Sequence, residues 1–329
     1  MKLINSFKQR LPTLEALGFE SLALDIFHFQ AQNNQIYMEY LSRLGVDHLR
    51  IDSIDKIPFL PIEFFKYHDI KTGEWLEEKA FLSSGTTGMQ RSKHLVEDLH
   101  FYEQNAKMIF DSFYGDMGNM TFFALLPSYQ QQGNSSLIAM VDYFMKESKS
   151  ERGGYYLDNT GQLIEDLQNE LKHSHDVVLF GVGYALLDFC EGCRSPLDGL
   201  TIIETGGMKG RREEMTKDEF YTLMKNKLGA VSIHSEYGMT ELLSQAYSQE
   251  NHRFSTPSTM KILIRDINDP FTMLDEGKAG GINVIDLANI HSCSFIETKD
   301  LGSVHSDGSF DILGRIDNSD IRGCNLLVV

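Results

Sequence analysis

Apolar residues in the first 80 positions recur every three or four residues, which predicts mostly helical structure. The recurring positions are Leu22, Ile26, Phe29, Ile36, Tyr40 and Leu44. Gly45 is expected to end this helical stretch, because glycine readily adopts the left-handed conformation that follows many helices. Pro58 and Pro61 then exclude a continuous helix, so the aromatic-rich stretch IDKIPFLPIEFFKYHDI is predicted to be an extended connector.

The middle of the chain alternates between apolar runs of strand length and helical patterns. The runs are Thr121–Leu126, Val177–Gly181, Leu200–Ile203 and Ala230–His234. One helical pattern begins at Thr216 with Glu219 three residues later, which is the signature of a capping box, and it ends at Gly229. Near-continuous apolar strands that alternate with helices predict an α/β fold whose parallel sheet is covered on both faces. Ligands of such sheets bind at the loops that follow the strands.

From about Ser255 the pattern changes to short strand-like pieces separated by glycine and aspartate turns. The pieces are Met260–Arg265, Gly281–Asp286, Ser294–Thr298 and Phe310–Leu313. We therefore expect two domains. Residues 1–255 would form the α/β core with its helical N-terminal region, and residues 256–329 a small β-rich subdomain ending in a flexible tail that carries a cysteine.

The composition excludes several classes of protein. The 329 residues include 47 acidic and 30 basic side chains, for a net charge of −17. This balance argues against a nucleic-acid partner and against docking on anionic lipid. Four cysteines are too few for a disulfide scaffold. The N-terminus lacks the apolar stretch of a secretory signal, and the apolar run Val177–Leu187 is too short for stable membrane insertion. These features predict a cytoplasmic protein.

The strongest local motif is FLSSGTTG, which contains Ser83, Ser84, Gly85, Thr86, Thr87 and Gly88. Its glycines allow the backbone to approach a ligand closely, and its hydroxyls can bind phosphate oxygens. It lacks the G-K-[ST] ending of a Walker A loop. Arg91 and Lys93 follow and can offset phosphate charge. The alternative for the motif alone is a surface turn rich in serine and glycine.

Four further motifs follow in order along the chain. HSEYGMTE supplies an aromatic ring at Tyr237, a hydroxyl at Thr240 and a carboxylate for Mg²⁺ at Glu241. The other three are ETGGMKG (204–210), FIETKDLG (295–302) and LGRID (313–317). Taken singly, each motif is equally compatible with a turn or with core and surface residues.

The ordered set resembles the adenylate-forming superfamily, which includes acyl-CoA synthetases, luciferases and peptide-synthetase adenylation domains. The resemblance extends from about residue 55 to the end of the chain. It implies layered α/β sheets with helices, followed by a β-rich subdomain. It also implies ATP and Mg²⁺ as reactants, with a carboxylate attacking the α-phosphorus and pyrophosphate leaving.

The resemblance assigns roles to particular residues. Residues 83–88 resemble the phosphate loop, Gly206 and Gly207 the adenine loop, and Tyr237 with Gly238 the adenine-stacking position. Thr240 would contact the α-phosphate or the substrate carboxylate, and Glu241 would hold Mg²⁺. Asp300 would bind the ribose hydroxyls, and Arg315 would support ribose or phosphate.

The chain departs from the superfamily pattern at two places. The phosphate loop usually continues G-x-P-K-G, but this chain has GMQRSK. Lys93 is the candidate for the phosphates, with Arg91 as the alternative. In most relatives GRxD leads into a C-terminal lid domain with a catalytic lysine. Only Asn318 to Val329 follow here, so we expect the lid to be missing.

Four phrases narrow the resemblance to acyl-protein synthetases of the LuxE type. They are IPFLPIEFFKYHDI, LLPSYQQQGNSSLIAMV, HSEYGMTEL and LGRIDNSDIRGCNLLVV. This family activates a fatty acid, holds the acyl group as a thioester on its own cysteine and passes it to a partner acyl reductase. Cys324 matches that cysteine by position. The alternative for Cys324 is a small buried residue in a final strand.

Other acceptors and roles stay open at this point. The acceptor can instead be CoA or the thiol of an acyl-carrier protein, and the acid can be an aryl acid. A rival from another class is a nucleotide-binding regulatory subunit without catalysis. The loop with Ser128, Tyr129 and Ser135 is a candidate for the acyl pocket or the phosphate side, with a plain turn as the alternative.

Two remaining features have structural explanations that we favour. Cys190 and Cys193 form a C-x-x-C pair, but a zinc site needs further ligands, and ordinary thiols near a helix end are expected. The aromatic residues Phe59, Phe64, Phe65 and Tyr67 are expected to pack in the core rather than to line an acyl pocket.

Overall fold

A computed structural model of the chain describes residues 2–14, 16–84, 90–126, 133–157, 159–173, 176–206, 215–249 and 252–316. Within this part of the chain, no helix has both the length and the apolar composition needed to cross a membrane. The contacts divide the chain into two units. The terminal unit comprises Met1–Glu74 and Ser258–Val329, and the central unit comprises Trp75–Pro257. The expected division into residues 1–255 and 256–329 stays a prediction.

The described helices and strands are named in chain order. The helices are Lys2–Arg10 (α1), Ala16–Asn33 (α2), Gln35–Arg43 (α3), Phe64–Tyr67 (α4), Leu99–Tyr114 (α5), Ser136–Glu147 (α6), Thr160–Glu170 (α7), Gly183–Gly192 (α8) and Lys217–Leu228 (α9). The strands are Leu60–Pro61 (β1), Lys79–Leu82 (β2), Lys93–Val96 (β3), Thr121–Leu125 (β4), Gly154–Tyr156 (β5), Val177–Val182 (β6), Thr201–Thr205 (β7), Ser232–Tyr237 (β8), Ala246–Ser248 (β9), Met260–Arg265 (β10), Gly280–Asp286 (β11), Phe295–Val304 (β12) and Phe310–Arg315 (β13).

The central unit contains a sheet in the strand order β5-β4-β6-β7-β8-β9. The strands from β5 to β8 pair in parallel, and β9 is antiparallel to β8. Every residue of β4 and β6 is buried, as expected for parallel strands covered on both faces. The predicted parallel sheet is therefore confirmed. A separate antiparallel hairpin joins β2 to β3.

The ends of α9 agree with the capping pattern in the sequence. The Thr216 hydroxyl accepts from the Glu219 N–H, and the Glu219 carboxylate accepts from the Thr216 N–H. Gly229 ends the helix with φ +87°. Strand β8 begins at Ser232 rather than at the predicted Ala230, because Ala230 lies in the turn after Gly229, where its N–H donates to the Asp198 carboxylate.

The terminal unit contains a second sheet, in the order β1-β12-β11-β10 with β13 paired to β12. Strand β1 is parallel to β12, and the other pairs are antiparallel. The predicted piece Met260–Arg265 is strand β10, and the pieces Gly281–Asp286 and Phe310–Leu313 lie within longer strands. The piece Ser294–Thr298 overlaps β12, which begins one residue later, at Phe295. Because β1 comes from residues 60–61, the N-terminal region and the C-terminal strands share one sheet.

Two predictions for the N-terminal region need correction. The predicted single helical stretch is two helices, because Asn34 has extended backbone and its side chain caps α3 by accepting from the Tyr37 N–H. The predicted extended connector contains the short helix α4 as well as β1. Phe59 and Phe65 are buried in the core, as expected, whereas Tyr67 is exposed.

Candidate functional site

The carboxyl edge of the central sheet brings together two of the predicted ATP-binding segments. Strands β7 and β8 are parallel neighbours, and their register places Thr205 beside Glu236. The next residues along the two strands are Gly206 and Tyr237, which were predicted to lie at the adenine. Gly206 has φ +74°, in the left-handed region that favours glycine. The two loops therefore leave the sheet side by side.

A partly buried hydrogen bond joins the ends of these two strands. Thr205 Oγ1 donates to Glu236 Oε2 at 2.5 Å. The pKa of the Glu236 carboxyl is raised to about 7, mainly by burial; the Thr205 hydroxyl lowers it, and the neighbouring Glu204 contributes to the rise. A side chain at Gly238 would overlap Glu236 Oε1, so the close approach of the carboxyl requires glycine there. Glu236 was not among the predicted site residues, although it directly precedes Tyr237.

A lysine lies in a second polar cluster on the same two strands. Ser235 Oγ donates to Glu204 Oε2 at 3.1 Å, and Lys217 Nζ donates to Ser235 Oγ at 3.1 Å. The Tyr221 hydroxyl is 2.8 Å from Ser235 Oγ. Burial lowers the pKa of Lys217, and the nearby Glu204 opposes this shift. The cluster holds the first turn of α9 against β7 and β8.

The predicted adenine-stacking ring packs against another aromatic residue. Tyr237 and Phe254 have ring centroids 6.0 Å apart in an edge-to-face arrangement. Lys217 Nζ lies 4.4 Å from the centroid of the same Phe254 ring, a cation–π distance. Sequence reasoning missed Lys217 and Phe254. The only local signal for Lys217 was its place directly after the capping residue Thr216.

Thr240 and Glu241 lie in the segment that joins β8 to β9. The Thr240 carbonyl accepts from His94 Nδ1 at 2.8 Å. Glu241 is buried, and the Leu242 N–H donates to the Met239 carbonyl at 3.1 Å, which forms a turn around the two predicted catalytic residues. Thr240 itself is partly exposed.

The hairpin of β2 and β3 carries the base of the predicted phosphate loop. Ser83 N–H donates to the Ser92 carbonyl at 3.0 Å, and Ser92 N–H donates to Ser83 Oγ at 2.9 Å. The Arg91 guanidinium donates to the carbonyls of Ser83 and Leu82. Arg91 thus braces the backbone of the hairpin, and Lys93 lies opposite Leu82 at the start of β3. The assignment of Lys93 rather than Arg91 to the phosphates stays a prediction.

Several predicted residues lie outside the described part of the chain, namely Gly85, Thr86, Thr87, Gly88, Ser128, Tyr129, Gly207 and Cys324. Ser84 is described and exposed. Ser135 is buried and is the N-cap of α6, where its hydroxyl accepts from the Ile138 N–H at 3.4 Å. The capping bond accounts for the hydroxyl at this position, and a ligand role for Ser135 stays a prediction.

The terminal unit brings the predicted ribose residues together. Asp300 and Arg315 are partners in the β12–β13 register, and Arg315 Nε lies 3.4 Å from Asp300 Oδ1. The Asp300 N–H donates to Thr298 Oγ1 at 3.1 Å. Arg265 is buried beneath them and donates to the Thr298 carbonyl at 2.7 Å. The Asp300 carboxylate is thus held on a well-connected strand.

The donor chemistry fits Mg²⁺ only in part. Among the described residues, no three histidine, cysteine, aspartate or glutamate side chains form a group that could hold a metal ion. Glu241 supplies an oxygen ligand of the kind that Mg²⁺ prefers. Because Mg²⁺ commonly takes one or two carboxylates together with substrate phosphates, Glu241 fits a metal that arrives with ATP.

The described cysteines lie inside the protein. Cys190, Cys193 and Cys293 are free and buried. Burial raises the pKa of the Cys190 thiol to about 11 and that of Cys293 to about 12. Cys193 lies at the end of α8, and its thiol faces the Ser195 carbonyl at 3.1 Å. Cys190 and Cys293 are therefore poor nucleophiles.

Comparisons with known proteins identify the fold. No protein-family model and no curated protein matches the sequence. Among solved structures, 2-hydroxyisobutyryl-CoA ligase in a postadenylation state matches with a TM-score of 0.68 and 12% identity, over 94% of this chain and 70% of that one. The chain has the fold of an adenylate-forming enzyme core. The predicted α/β fold class is confirmed.

Two other solved structures have the same fold. The o-succinylbenzoate CoA synthetase MenE from Bacillus subtilis matches with a TM-score of 0.55 and 14% identity, over 73% of this chain and 49% of that one. ATP-bound MatB from Rhodopseudomonas palustris matches with a TM-score of 0.52 and 14% identity, over 72% and 47%. The chain thus spans about half the length of these two proteins.

Proposed function

We propose that this protein is an ATP-dependent acid–thiol ligase that converts a carboxylic acid to an acyl-adenylate and releases pyrophosphate. The observation that carries the proposal is the pairing of β7 and β8, whose last registered pair, Thr205 and Glu236, directly precedes Gly206 and Tyr237 at the carboxyl edge of the sheet. Thr240 and Glu241 follow Tyr237 after two residues. Structural neighbours bound to ATP or to an acyl-AMP support the same chemistry.

The chemistry requires positioning and charge stabilisation rather than a side-chain nucleophile. A carboxylate oxygen of the substrate attacks the α-phosphorus of ATP, and the bond to the bridging oxygen breaks, so that pyrophosphate leaves with the electron pair. In the proposal the Thr240 hydroxyl contacts the α-phosphate or the carboxylate, and the Tyr237 ring stacks on adenine. Mg²⁺, when bound through Glu241, would neutralise charge on the phosphates. The ribose role of Asp300 and the supporting role of Arg315 stay predictions from the sequence resemblance.

We further propose a fatty acid as substrate and Cys324 as the first acyl acceptor, in the manner of the LuxE-type family that the sequence resembles. The Cys324 thiolate would attack the acyl carbonyl of the adenylate, the bond to AMP would break, and the thiol proton would pass to solvent. The buried, high-pKa thiols of Cys190 and Cys293 support a different cysteine for this step. A reduced compartment such as the cytoplasm would keep the thiol free.

The acyl group would then pass to a partner, an acyl reductase or an acyl-carrier protein. The alternative acceptor is CoA, because the solved neighbours include CoA ligases by their names.

A pyrophosphate-exchange assay tests the adenylation step, which comes before acyl transfer to either acceptor. The full-length protein with ATP, Mg²⁺ and labelled pyrophosphate is expected to form labelled ATP only when a suitable acid from a panel of alkyl and aryl acids is present. Absence of exchange with every acid would overturn the proposed activity.

Replacing Cys324 separates the two acceptors. With radiolabelled fatty acid, ATP and Mg²⁺, we expect hydroxylamine-sensitive label on the wild-type protein and none on Cys324→Ser, because serine forms no thioester. Cys190→Ala is the matched control and should keep the label. Label that persists on Cys324→Ser contradicts the carrier role. An unlabelled wild-type protein that consumes CoA shows the alternative acceptor.

A further inference from the structure

Two side chains from elsewhere in the central unit bind the backbone of the segment that carries Thr240 and Glu241. His94 Nδ1 is 2.8 Å from the Thr240 carbonyl oxygen. Asn105 Nδ2 donates to the Leu243 carbonyl at 2.8 Å. His94 belongs to β3 and Asn105 to α5, and both are buried. The segment is therefore held at two carbonyls by polar groups that are distant in sequence.

The contact determines the tautomer of His94. A backbone carbonyl can only accept a hydrogen bond, so Nδ1 must carry the proton. Burying an imidazole costs free energy unless its polar atoms form hydrogen bonds. Leu95 and Val96, the next residues of β3, are buried apolar residues, so the strand also accepts apolar side chains. An apolar residue at position 94 would leave the Thr240 carbonyl without this donor.

His94 also belongs to the hairpin that carries the predicted phosphate loop. It lies opposite Phe81 in the β2–β3 register, two positions from the bonds between Ser83 and Ser92 at the base of the loop. One short strand thus connects the base of the phosphate loop with the backbone of Thr240. We infer that His94 is a positioning residue, which fixes the Thr240–Glu241 backbone relative to the base of the phosphate loop. The inference rests on the proposed function for its catalytic consequence.

Three variants test the inference. His94→Asn keeps an N–H donor near the position of Nδ1, His94→Gln moves the donor outward to the position of Nε2, and His94→Leu removes it. The His100→Asn and His100→Leu variants are matched controls, because the His100 side chain is 73% exposed on α5. Unfolding midpoints identify any variant that fails to fold. If His94→Leu does not fold, the comparison of His94→Asn with His94→Gln still decides the test.

Pyrophosphate exchange is the first readout. We expect kcat to fall on the order of tenfold or more in His94→Gln and His94→Leu, because a small displacement of catalytic groups slows a reaction strongly. His94→Asn should stay close to wild type, and the KM for the carboxylic acid should change little. Equal kcat in the three variants and the wild type overturns the inference and leaves the ligase proposal standing.

Equilibrium binding of a non-hydrolysable ATP analogue, with and without Mg²⁺, is the readout that needs no turnover. The wild type and His94→Asn should bind more tightly with Mg²⁺, and His94→Gln should lose most of this gain, because Glu241 would be displaced. If the wild type shows no exchange but this pattern holds, the inference stands and the ligase proposal fails. If Mg²⁺ has no effect on binding to the wild type, the assignment of Mg²⁺ to Glu241 is overturned, and the kcat comparison decides the inference.

Discussion

Glu236 is a partly exposed residue with a desolvated carboxyl, and it lies directly before the predicted adenine-stacking residue. Its pKa is about 7, compared with an ordinary value of 4.5, and burial is the main cause. The groups around it are Glu204, Thr205, Tyr102, Tyr114 and Tyr247. None of these groups is a cation, so its surroundings offer the charged form little compensation.

The raised pKa predicts a dependence of stability on pH. The folded state binds a proton more tightly than the unfolded chain, so the contribution of Glu236 is fully present below pH 4.5 and is lost as pH rises through about 7. Glu236→Gln should remove this dependence, with a difference in unfolding free energy of about 1–3 kcal/mol between its two ends. Urea unfolding at several pH values between 4.5 and 8 measures it.

The control for Glu236 is a surface carboxyl of the same unit. Glu165 is exposed on α7, and Glu165→Gln should keep the wild-type pH profile. If Glu236→Gln has the same profile as the wild type, Glu236 stays ionised in the folded state across this range. Its hydrogen bond with Thr205 would then involve a carboxylate at neutral pH.

At the scale of elements, one glutamine anchors α2 to the segment before β12. Gln30 Nε2 donates to the carbonyls of Asn289 at 2.9 Å and Ile290 at 3.1 Å. Gln30 Oε1 accepts from the Ser294 N–H at 2.9 Å. The Gln30 side chain is fully buried, so water does not take its place as the partner of these backbone groups. The Gln30 amide therefore forms hydrogen bonds with backbone polar groups that the segment between β11 and β12 turns toward the core.

This network predicts that replacing Gln30 with an apolar residue of similar volume strongly lowers the free energy of unfolding. Gln30→Leu would keep the volume but leave the buried carbonyls and the Ser294 N–H without this partner. We expect a loss of about 2 kcal/mol or more in the free energy of unfolding, since each unsatisfied buried group costs about 1–3 kcal/mol. Gln35→Leu is the exposed control in the neighbouring helix α3 and should change little. Equal stabilities of the two variants in urea unfolding would show that the network contributes nothing.

Elements with a local pattern were predictable from the sequence, and elements defined by distant partners were not. The capping box of α9 and the strand Met260–Arg265 have the predicted limits because their signals lie within the element itself. The helix break at Asn34 has another cause. Asn34 Nδ2 donates to the carbonyl of Ser292, 258 residues away, and no local pattern encodes that contact.

The candidate site follows the same division at the scale of the whole molecule. The order of the motifs predicted a glycine loop and a YGMTE segment after parallel strands, and the paired strand ends Thr205 and Glu236 directly precede Gly206 and Tyr237. The residues that hold these segments were not predictable, because His94 meets Thr240 across 146 positions of sequence. A motif encodes the groups that would meet a ligand, whereas the groups that fix the motif depend on tertiary packing.

The net charge of −17 opposes the arrival of an anionic nucleotide, and this opposition is a property of the whole molecule. Surface charges act over a Debye length of about 10 Å at 0.1 M salt, so added salt screens the repulsion. We expect the association rate of a fluorescent ATP analogue to rise about two- to threefold between roughly 0.05 and 0.3 M NaCl. A neutral adenosine analogue is the control and should show no such rise. Stopped-flow fluorescence measures both rates. A rate for the ATP analogue that falls with salt would mean that basic residues near the site, Lys93 among them, dominate the field that the nucleotide meets.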